Sequence, residues 1–308
     1  MNLTLRDVDY FLAVARTGRL AQAAEACNVT QPALTKAIQR LESEIGLVLF
    51  ERDARGTRLT AEGLRFVDVA QGLSASYADA TRVATEVRAQ QTGLLRIGVT
   101  DITRNSLAPR ALAQLLQRRP GLRAVFRIGQ SDQLARALRD GSLDMALVPT
   151  YGNVPNGCEG ITVANDPHLP VVRAGHPLAR RLVIELADLQ PFSWILAGPH
   201  SNSYRTVAAI LARHDLPPPQ VMVETEYASE AVLALVQSTD LLALMPRSLL
   251  QATDQNGLHL LPLLELRIER AVVLAWREGA TWSPLMEAFK ETLETQIAQR
   301  SSRVSAAT

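Results

Sequence analysis

The chain has 308 residues, of which 47% are hydrophobic and 20% are charged, and its formal net charge is only +1. This length indicates about two globular domains, and no apolar run approaches the ~18 residues of a membrane span. DNA-binding proteins are often clearly basic, so any contact with DNA must use positive charge that is placed locally.

Three helices are predicted in the first part of the chain, because apolar residues recur there at helical spacing. The first ends near Gly18, and the second, which is short, ends at a tight turn at Asn28. Thr30 can cap the third helix, since its hydroxyl can accept from a free backbone N–H, and Gly46 ends it. A short helix, a tight turn and a longer helix are the arrangement that places one helix in a DNA major groove.

The outward face of this third helix, residues 31–45, is polar and basic. Its chemistry suits base edges, because Gln can pair with adenine, Lys can reach guanine, and Thr and Ala can contact a thymine methyl group. A plain solvated face is the alternative, but it does not account for the tight turn and the short helix before it. We therefore predict a DNA-reading face. It carries Gln31, Pro32, Thr35, Lys36, Gln39 and Arg40.

Residues 47–60 contain two short strand-like segments around Phe50 and Leu59, which predicts a hairpin, or wing. Its arginines can contact phosphates or an adjacent minor groove, and such contacts add affinity rather than sequence choice. The alternative is a charged surface hairpin in which Glu51 and Asp53 pair with the arginines. The wing arginines are Arg52, Arg55 and Arg58.

Thr60 can cap a long helix that runs from residue 61 to about residue 90. Apolar residues alternate steps of four and three along it, as in a two-helix coiled coil. A lone helix about 45 Å long cannot bury such a seam, so a partner chain is the simplest cover, and a homodimer would present two reading helices to two half-sites. The alternative is that the seam packs on the chain's own C-terminal half. The predicted seam consists of Phe66, Ala70, Leu73, Tyr77, Ala80, Ala84 and Val87.

From Gly93 onward, strand-like and helix-like segments alternate, which predicts a mostly parallel α/β sheet. In such sheets ligands bind beyond the carboxyl ends of the strands, near helix N-termini. The hydroxyls, amides and free helix N–H groups found there suit a small polar or anionic molecule. Each such residue alone is more often a cap or a turn former, so the prediction depends on several loops converging. These loops span residues 100–103, 129–131, 150–151 and 198–203.

Little in the sequence supports catalysis. The five histidines are scattered without HxxxH or HxH spacing, and the sequence contains no GxGxxG, GxxxxGK[ST] or GxSxG motif. Cys27 and Cys158 fall one in each predicted domain, which argues against a metal cluster and against a disulfide within a domain. We therefore expect no enzyme, no cofactor and no metal site.

Several segments carry a resemblance that covers nearly the whole chain. The most specific is AAEACNVTQPALTKAIQRLESEIGLVLFER followed by RLTAEG, and later segments are LLRIG, LRDGSLDMALVP, GHPLARR and ALMPRSLL. These segments resemble the LysR-type family of bacterial transcriptional regulators. The resemblance implies an α/β protein overall, with an N-terminal all-α winged helix-turn-helix, a long linker helix and a two-lobed, periplasmic-binding-protein-like effector domain.

The same resemblance implies the limits of the domains. Residues 1–60 would form the winged helix-turn-helix, residues 61–92 the dimerisation helix and residues 93–300 the effector-binding domain, with a tail at 301–308. Lobe I would comprise about residues 93–164 and 268–300, and lobe II about residues 165–267. The chain would cross between the lobes near Asn165 and again near Arg267.

The family's functional positions also fall on particular residues of this sequence. Its DNA-facing positions are Gln31, Pro32, Ala33, Thr35 and Lys36, to which we add Thr30 and Arg40 from the same helix and the three wing arginines. Its inducer cleft, between the two lobes, would be lined by Thr100, Asp101, Ile102, Gln130, Ser131, Thr150, Ser201, Asn202, Tyr227 and Ala228.

Three positions depart from the family pattern. Arg19 stands where a Ser usually caps the second helix, so it either contacts a DNA phosphate or leaves the cap empty. Residues 237–241, with the sequence QSTDL, replace a common Ala-Gly-x-Gly segment, which can change the local turn and the pocket wall. Asp101 would repel a carboxylate inducer unless a nearby arginine such as Arg104 offsets it, so the class of inducer stays open.

Together these observations predict a homodimeric or homotetrameric, sequence-specific DNA-binding transcriptional regulator that senses a small molecule. Its partners would be double-stranded DNA, a small-molecule effector, further copies of itself and RNA polymerase, but no membrane. Arg6, Asp7 and Asp9 make the first residues unlike a secretory signal, so we expect a cytoplasmic protein. The alternative is a cytosolic small-molecule-binding protein whose N-terminal domain does not bind DNA.

Overall fold

The computed structural model describes residues 3–53, 56–89, 93–100, 107–252 and 257–305. The N-terminal part consists of three short helices and a two-stranded hairpin, and a long helix follows. The elements are α1 (Leu5–Thr17), α2 (Leu20–Ala26), α3 (Gln31–Ile45), β1 (Phe50–Asp53), β2 (Gly56–Leu59) and α4 (Ala61–Ala89).

Local signals set the limits of the N-terminal helices. A capping box between Thr4 and Asp7 begins α1, and Gly18, with a φ of 63°, ends it. The hydroxyl of Thr30 accepts from a backbone N–H in the first turn of α3 at 3.4 Å. The apolar faces of the three helices then share one core. Its fully buried members include Phe11, Leu34, Leu41 and Leu49.

The hairpin is antiparallel, with Phe50 opposite Leu59. It lies against the turn between α1 and α2, where the backbone N–H of Thr57 donates to the carbonyl of Gly18 at 3.0 Å. Gly56 has a φ of 139°, and a Cβ at this position would lie 2.8 Å from the Gly18 carbonyl oxygen. Because both the backbone angle and the close approach exclude a side chain, a glycine is required for the wing to dock on the helices.

The rest of the chain forms two α/β lobes, which we call lobe I and lobe II. Lobe I contains β3 (Gly93–Val99), α5 (Leu107–Arg118), β4 (Leu122–Ile128), α6 (Ser131–Arg139), β5 (Met145–Thr150), β6 (Cys158–Asn165), β12 (Ala271–Arg277) and α10 (Pro284–Ser305). Lobe II contains β7 (His168–Arg173), β8 (Trp194–Leu196), α7 (Asn202–Ala212), β9 (Val221–Glu224), α8 (Glu230–Ser238), β10 (Leu242–Pro246), α9 (Arg247–Ala252) and β11 (Leu258–Leu260). Three short 3-10 helices, Pro177–Arg180, Leu186–Leu189 and Leu264–Leu266, also belong to lobe II.

Each lobe is built on a mixed five-stranded sheet, with strand order β4-β3-β5-β12-β6 in lobe I and β11-β7-β10-β8-β9 in lobe II. Three neighbouring strands are parallel in each sheet, but β12 is antiparallel to β5 and β6, and β7 is antiparallel to β10 and β11. Four of the five strands in each sheet therefore run in one direction, which agrees with the prediction of mostly parallel sheets. The one reversed strand of each sheet, β12 or β7, enters its lobe directly from the other lobe, without the crossover helix that a parallel neighbour needs.

The two lobes have separate hydrophobic cores. The core of lobe I includes Leu95, Ile97, Met145, Leu274 and Phe289, and that of lobe II includes Val172, Trp194, Val207, Leu242 and Leu266. The chain passes from lobe I to lobe II between β6 and β7 and returns before β12. The two crossing segments touch, because His168 pairs with Ile268 in an isolated antiparallel bridge.

Helix α4 connects the N-terminal helices to lobe I. Near its start Ala70 packs into the core of α1–α3. Farther along, Ala75 lies against the turn at Gly141, where an added Cβ would be 2.9 Å from the Cβ of Ala75. Asp79 then forms an ion pair with Arg277 of β12. One side of the helix is therefore fixed to lobe I along its middle turns.

The predicted seam on α4 divides into two parts. Phe66 packs against the N-terminal core and Ala70 is only 1% exposed within it, because the first turns of α4 pack on α1. These two residues are covered by their own chain, which differs from the predicted seam. The other five point away from lobe I and are exposed. They are Leu73, Tyr77, Ala80, Ala84 and Val87.

Candidate DNA interface and effector cleft

Helix α3 has a buried apolar face and an exposed polar face. Leu34, Ile38 and Leu41 are buried in the core shared with α1 and α2. The predicted reading residues occupy the opposite face, mostly in the first turns, which is the part of a recognition helix that contacts base edges. Gln31, Pro32, Ala33, Lys36, Gln39 and Arg40 are exposed, and Thr35 is half-buried.

Arg40, at the end of this row, also has a partner inside the domain. Its guanidinium donates to the carboxylate of Asp7, which is 1% exposed and also accepts from the Thr4 hydroxyl at 2.6 Å. Burial raises the pKa of Asp7, but the hydrogen bonds from Thr4 and Arg40 outweigh it and hold the pKa below its ordinary value. Arg40 therefore stabilises the fold, whatever it contributes to DNA binding.

The lowered pKa of Asp7 leads to a pH prediction. Its contribution to stability should be complete above the ordinary carboxyl pKa of 3.8 and should be lost as the pH falls toward the folded-state pKa. Asp7→Asn should therefore make the free energy of unfolding less dependent on pH below about pH 4. Urea unfolding followed by circular dichroism measures this. Asp68→Asn, at an exposed position of α4, is the control, and equal slopes for both variants would contradict the prediction.

Arg19 lies at the start of α2, and Arg52 and Arg58 lie on the two strands of the hairpin. Arg19 occupies the N-cap position of α2, and its exposed side chain makes no capping hydrogen bond. Arg58 is exposed on β2, opposite Glu51 in the hairpin register, and Arg52 pairs with Thr57 in the same register. Arg55 falls outside the described residues. The basic groups are therefore local to the reading helix and the hairpin, as the near-neutral net charge requires.

The predicted effector loops all follow the carboxyl ends of parallel strands. Thr100 comes directly after β3, and Thr150 is the last residue of β5. In the loop after β4, Gln130 immediately precedes α6 and Ser131 is the first residue of that helix. In lobe II, Ser201 immediately precedes α7 and Asn202 is the first residue of that helix. Tyr227 and Ala228 lie between β9 and α8. Asp101 and Ile102 fall outside the described residues.

Several of these polar groups are already used within their own loops. The Ser201 hydroxyl accepts from the backbone N–H of Tyr204 at 3.1 Å, and the backbone N–H of Gln130 donates to the Gln133 side chain at 3.4 Å. Burial and the carboxylates of Glu226 and Asp132 raise the pKa of the Tyr227 phenol. Because Asp132 belongs to α6 of lobe I and Tyr227 to lobe II, the lobes approach each other here.

Two cavities lie beside these loops. The first, of about 140 Å³, is formed by the end of β3, α5, β5, the crossing segments and α9, and it includes Thr100. The second is a more open groove of about 690 Å³ along α7 and includes Asn202, together with Arg205, Arg213 and Arg267. The other described effector candidates line neither of these two cavities. The predicted loops lie at the carboxyl ends of the strands in both sheets, but the two cavities beside them are separate from each other.

The crossing segments contain polar residues that the sequence motifs did not identify. Arg270 donates to a carboxylate oxygen of Asp166 at 2.7 Å, and the backbone N–H and hydroxyl of Ser248 donate to the same carboxylate at 2.8 and 2.9 Å. Ser248 follows the carboxyl end of β10. It could therefore have been predicted from the rule that ligands bind beyond the carboxyl ends of parallel strands. Asp166 has no local motif, because its partners are 82 and 104 residues away.

The two thiols and the metal-ligating residue types are groups that can form reactive or metal-binding centres. Burial raises the pKa of both Cys27 and Cys158, which lowers the fraction of nucleophilic thiolate. Among the residues that the structure describes, no three His, Cys, Asp or Glu side chains are grouped to hold a metal ion. No helix within the described ranges is long and apolar enough to cross a membrane.

The fold and the exposed helix define a class of protein: a helix-turn-helix DNA-binding domain joined by a long helix to a two-lobed ligand-binding domain. Two family models match this chain. Residues 5–64 match the family described as "Bacterial regulatory helix-turn-helix protein, lysR family", and residues 88–298 match the family described as "LysR substrate binding domain". The chain belongs to the LysR family of bacterial transcriptional regulators, which confirms the resemblance seen in its motifs.

Curated relatives align with nearly the whole chain. The HTH-type transcriptional regulator CfxR of Cupriavidus necator is 30% identical over 302 residues, which cover 96% of this chain and 93% of the relative. The HTH-type transcriptional regulator CbbR of Sinorhizobium medicae is 28% identical over 294 residues, covering 94% and 92%. The chain is thus a DNA-binding transcriptional regulator with an effector-binding domain, as the sequence predicted.

Solved structures share the fold at lower identity. A single-substitution variant of full-length OxyR from Pseudomonas aeruginosa has a TM-score of 0.66 at 22% identity and covers 95% of each chain. Full-length CbnR complexed with its target DNA has a TM-score of 0.60 at 22% identity and covers 95% of this chain and 99% of that one. These likenesses confirm the predicted fold class: an N-terminal helix-turn-helix followed by a two-lobed α/β domain.

Proposed function

We propose that this regulator reads a specific DNA sequence with the first turns of α3. The observation that carries this proposal is the exposure of Gln31, Ala33 and Lys36 on one face of a helix whose other face is buried. Gln31 and Lys36 would contact base edges, and Ala33 and Thr35 would contact thymine methyl groups, with Pro32 beside them. The complex of CbnR with its target DNA, in the same fold, supports DNA as the partner.

The remaining contacts would be made to DNA phosphates. Thr30 lies at the positive end of the α3 dipole, and the arginines around it add charge that is independent of base sequence. These contacts would give salt-dependent affinity rather than sequence choice. The arginines in this role are Arg19, Arg40, Arg52, Arg55 and Arg58.

Lys36→Ala and Gln31→Ala should each weaken binding to the operator by ~1–3 kcal/mol and relax base choice at one position. The measurement is fluorescence anisotropy with DNA from upstream of the regulator's own gene, compared with a scrambled duplex at fixed salt. Lys290→Ala on α10 removes the same charge far from α3 and is the matched control. Unchanged affinity and specificity in both reading-helix variants would contradict the assignment of α3.

We further propose that two copies associate through the exposed part of the α4 seam. Leu73 is 43% exposed, Tyr77 59% and Val87 62%, and all three lie on the side of α4 that faces away from lobe I. Ala80 and Ala84 lie between them and would allow the two helices to approach closely. Burial of these side chains against a second copy would place two reading helices on two half-sites.

Association beyond a dimer would use the edges of the sheets. Strand β4 is an edge strand of lobe I and exposes Val125, Phe126 and Ile128. Strand β9 is an edge strand of lobe II and exposes Met222. Edge strands with exposed apolar side chains are ready to pair with another chain, which supports the homotetramer as the larger assembly.

The effector would bind where the strand ends of the two lobes face each other. We place the cleft at Thr100, Asp101, Ile102, Gln130, Ser131, Thr150, Ser201, Asn202, Tyr227 and Ala228. The division into residues 1–60, 61–92 and 93–300, with lobes meeting near residues 165 and 267, belongs to the same proposal. A thermal-shift screen of metabolites on the full chain tests it, since a bound effector raises the melting temperature.

Effector binding would change transcription by favouring one arrangement of the assembled copies over another. The regulator would then act on RNA polymerase bound at the neighbouring promoter, and it would work in the cytoplasm, where bacterial DNA lies. A pull-down of RNA polymerase on operator DNA, with and without the effector, tests the contact.

A further inference from the structure

The 140 Å³ cavity at the crossing segments has two walls of different character. Its apolar wall belongs to lobe I and includes Val99, Leu107, Ala108 and Leu147. Its polar wall is formed by the crossing segments and by the first residues of α9, where Arg247 projects from lobe II. The cavity is therefore amphipathic and contacts both lobes.

Among the residues that the structure describes, the charges on the polar wall are not balanced. Asp166 is neutralised, because its carboxylate accepts from Arg270 at 2.7 Å and from the Ser248 hydroxyl at 2.9 Å. Arg247 is half-buried and lines the same cavity. Among the described residues its guanidinium has no hydrogen bond or ion pair; only its backbone N–H is used, donating to the carbonyl of Pro167. A partly desolvated guanidinium without a partner is costly to the fold unless an anion approaches it.

We propose that this hinge cavity is a second small-molecule site, which takes a short aliphatic monocarboxylate. The carboxylate would accept two parallel hydrogen bonds from Arg247, the geometry that guanidinium groups favour. The hydrocarbon part would lie against Val99, Ala108 and Leu147. A cavity of about 150 Å³ can hold a molecule the size of benzene, so a branched chain of four or five carbons fits this volume.

The site is separate from the effector cleft proposed above: of the cleft residues that the structure describes, Thr100 alone also lines this cavity. A ligand here would contact lobe I through its hydrocarbon part and lobe II through Arg247. It would thus favour one orientation of the lobes over others, in proportion to its difference in affinity for them. A ligand in this cavity would therefore also change the affinity of the cleft for its effector, because both sites depend on the arrangement of the same two lobes.

Isothermal titration of the full-length protein with isovalerate tests the site, with isovaleramide as the uncharged molecule of the same shape. We expect wild-type protein to bind isovalerate at least tenfold more tightly than isovaleramide, because a charge-assisted hydrogen bond is lost with the amide. Across propionate, butyrate and isovalerate, affinity should rise about fourfold for each added carbon.

Two variants complete the test. Arg247→Gln should lower isovalerate affinity at least tenfold and remove the preference over the amide, whereas Arg118→Gln, at an exposed position of α5 outside both cavities, should change neither. Ala108→Leu should block binding by filling the apolar wall while leaving every charge in place. Equal binding of isovalerate by wild type and Arg247→Gln, or no binding by wild type at millimolar concentration, would overturn the proposal. Operator binding by the unliganded variants, measured in parallel, reports separately on the proposed DNA function.

Discussion

Asp79→Ala should lower the free energy of unfolding by about 3–5 kcal/mol. The carboxylate of Asp79 accepts from Arg82, one turn away at 2.9 Å, and from Arg277 of β12. Arg82 in turn lies 3.6 Å from Asp144, which accepts from the Arg96 guanidinium at 2.6 Å. Every side chain in this network is at least three-quarters buried. Removal of Asp79 would leave three guanidiniums facing one carboxylate in a poorly solvated interface.

Urea unfolding followed by circular dichroism measures this loss. Asp132→Ala is the matched control, because Asp132 also pairs with an arginine, Arg136, but both side chains are more than half exposed. Exposed pairs contribute little to stability, so the control should unfold close to wild type. Equal stability of Asp79→Ala and wild type would show that this ion-pair network between α4 and lobe I does not contribute to the folded state.

Replacing Leu73 and Tyr77 together by glutamate should dissociate the assembly formed through α4, halving the molar mass or lowering it further. Two glutamates per helix would place four carboxylates in an apolar seam, where burial of unpaired charge is prohibitive. Because the seam faces away from the residues that fix α4 to lobe I, the fold of each chain should persist. Light scattering coupled to size-exclusion chromatography measures the mass.

A leucine-to-glutamate change at an exposed position elsewhere provides the control for the seam. Leu182→Glu alters a leucine that is 99% exposed in lobe II, and it should leave the molar mass unchanged. The dissociated variant should also lose affinity for a two-half-site operator while it keeps weak binding to a single half-site, because the two reading helices no longer bind as one unit. A seam variant with the mass of wild type would contradict the proposed role of Leu73 and Tyr77.

The N-terminal elements were predictable because their signals are local. Thr30 and Gly46 mark the two ends of α3, and the observed helix, Gln31–Ile45, begins and ends where those residues predict. The hairpin at β1 and β2 was also predicted from its short strands. What the local pattern could not show was the docking of the wing, since Gly56 and Gly18 meet only when the helices have packed.

The contacts that join the domains could not be predicted from spacing. Asp79 and Arg277 are 198 residues apart, and Arg96 and Asp144 are 48 apart, so no motif links them. Strands β6 and β11 were not predicted, because their local signals are weak. Strand β6 is half-exposed and follows a loop rich in Gly, Pro and Asn, whereas β11 has only three residues, so neither produces a strong periodic signal.

The candidate effector loops were located by topology, because the carboxyl ends of parallel strands meet at one edge of a sheet. Whether such loops enclose a cavity depends on how the two lobes are placed relative to each other, which no single loop specifies. Arg247 illustrates the limit. In the sequence it is one arginine after a strand, and its significance comes from the cavity wall that lobe I supplies opposite it.

The double attachment of α4 has a mechanical consequence. Its 29 residues form a rod of about 43 Å, with its first turns packed on the DNA-binding helices and its middle turns bonded to lobe I. Such a rod acts as a lever arm. Asp79, where α4 is bonded to lobe I, lies about 27 Å along the helix from Ala61 at the DNA-binding end, so a tilt of lobe I by about 10° would carry that end through about 5 Å. That displacement is more than one base-pair step along DNA, enough to take a recognition helix out of register with its half-site.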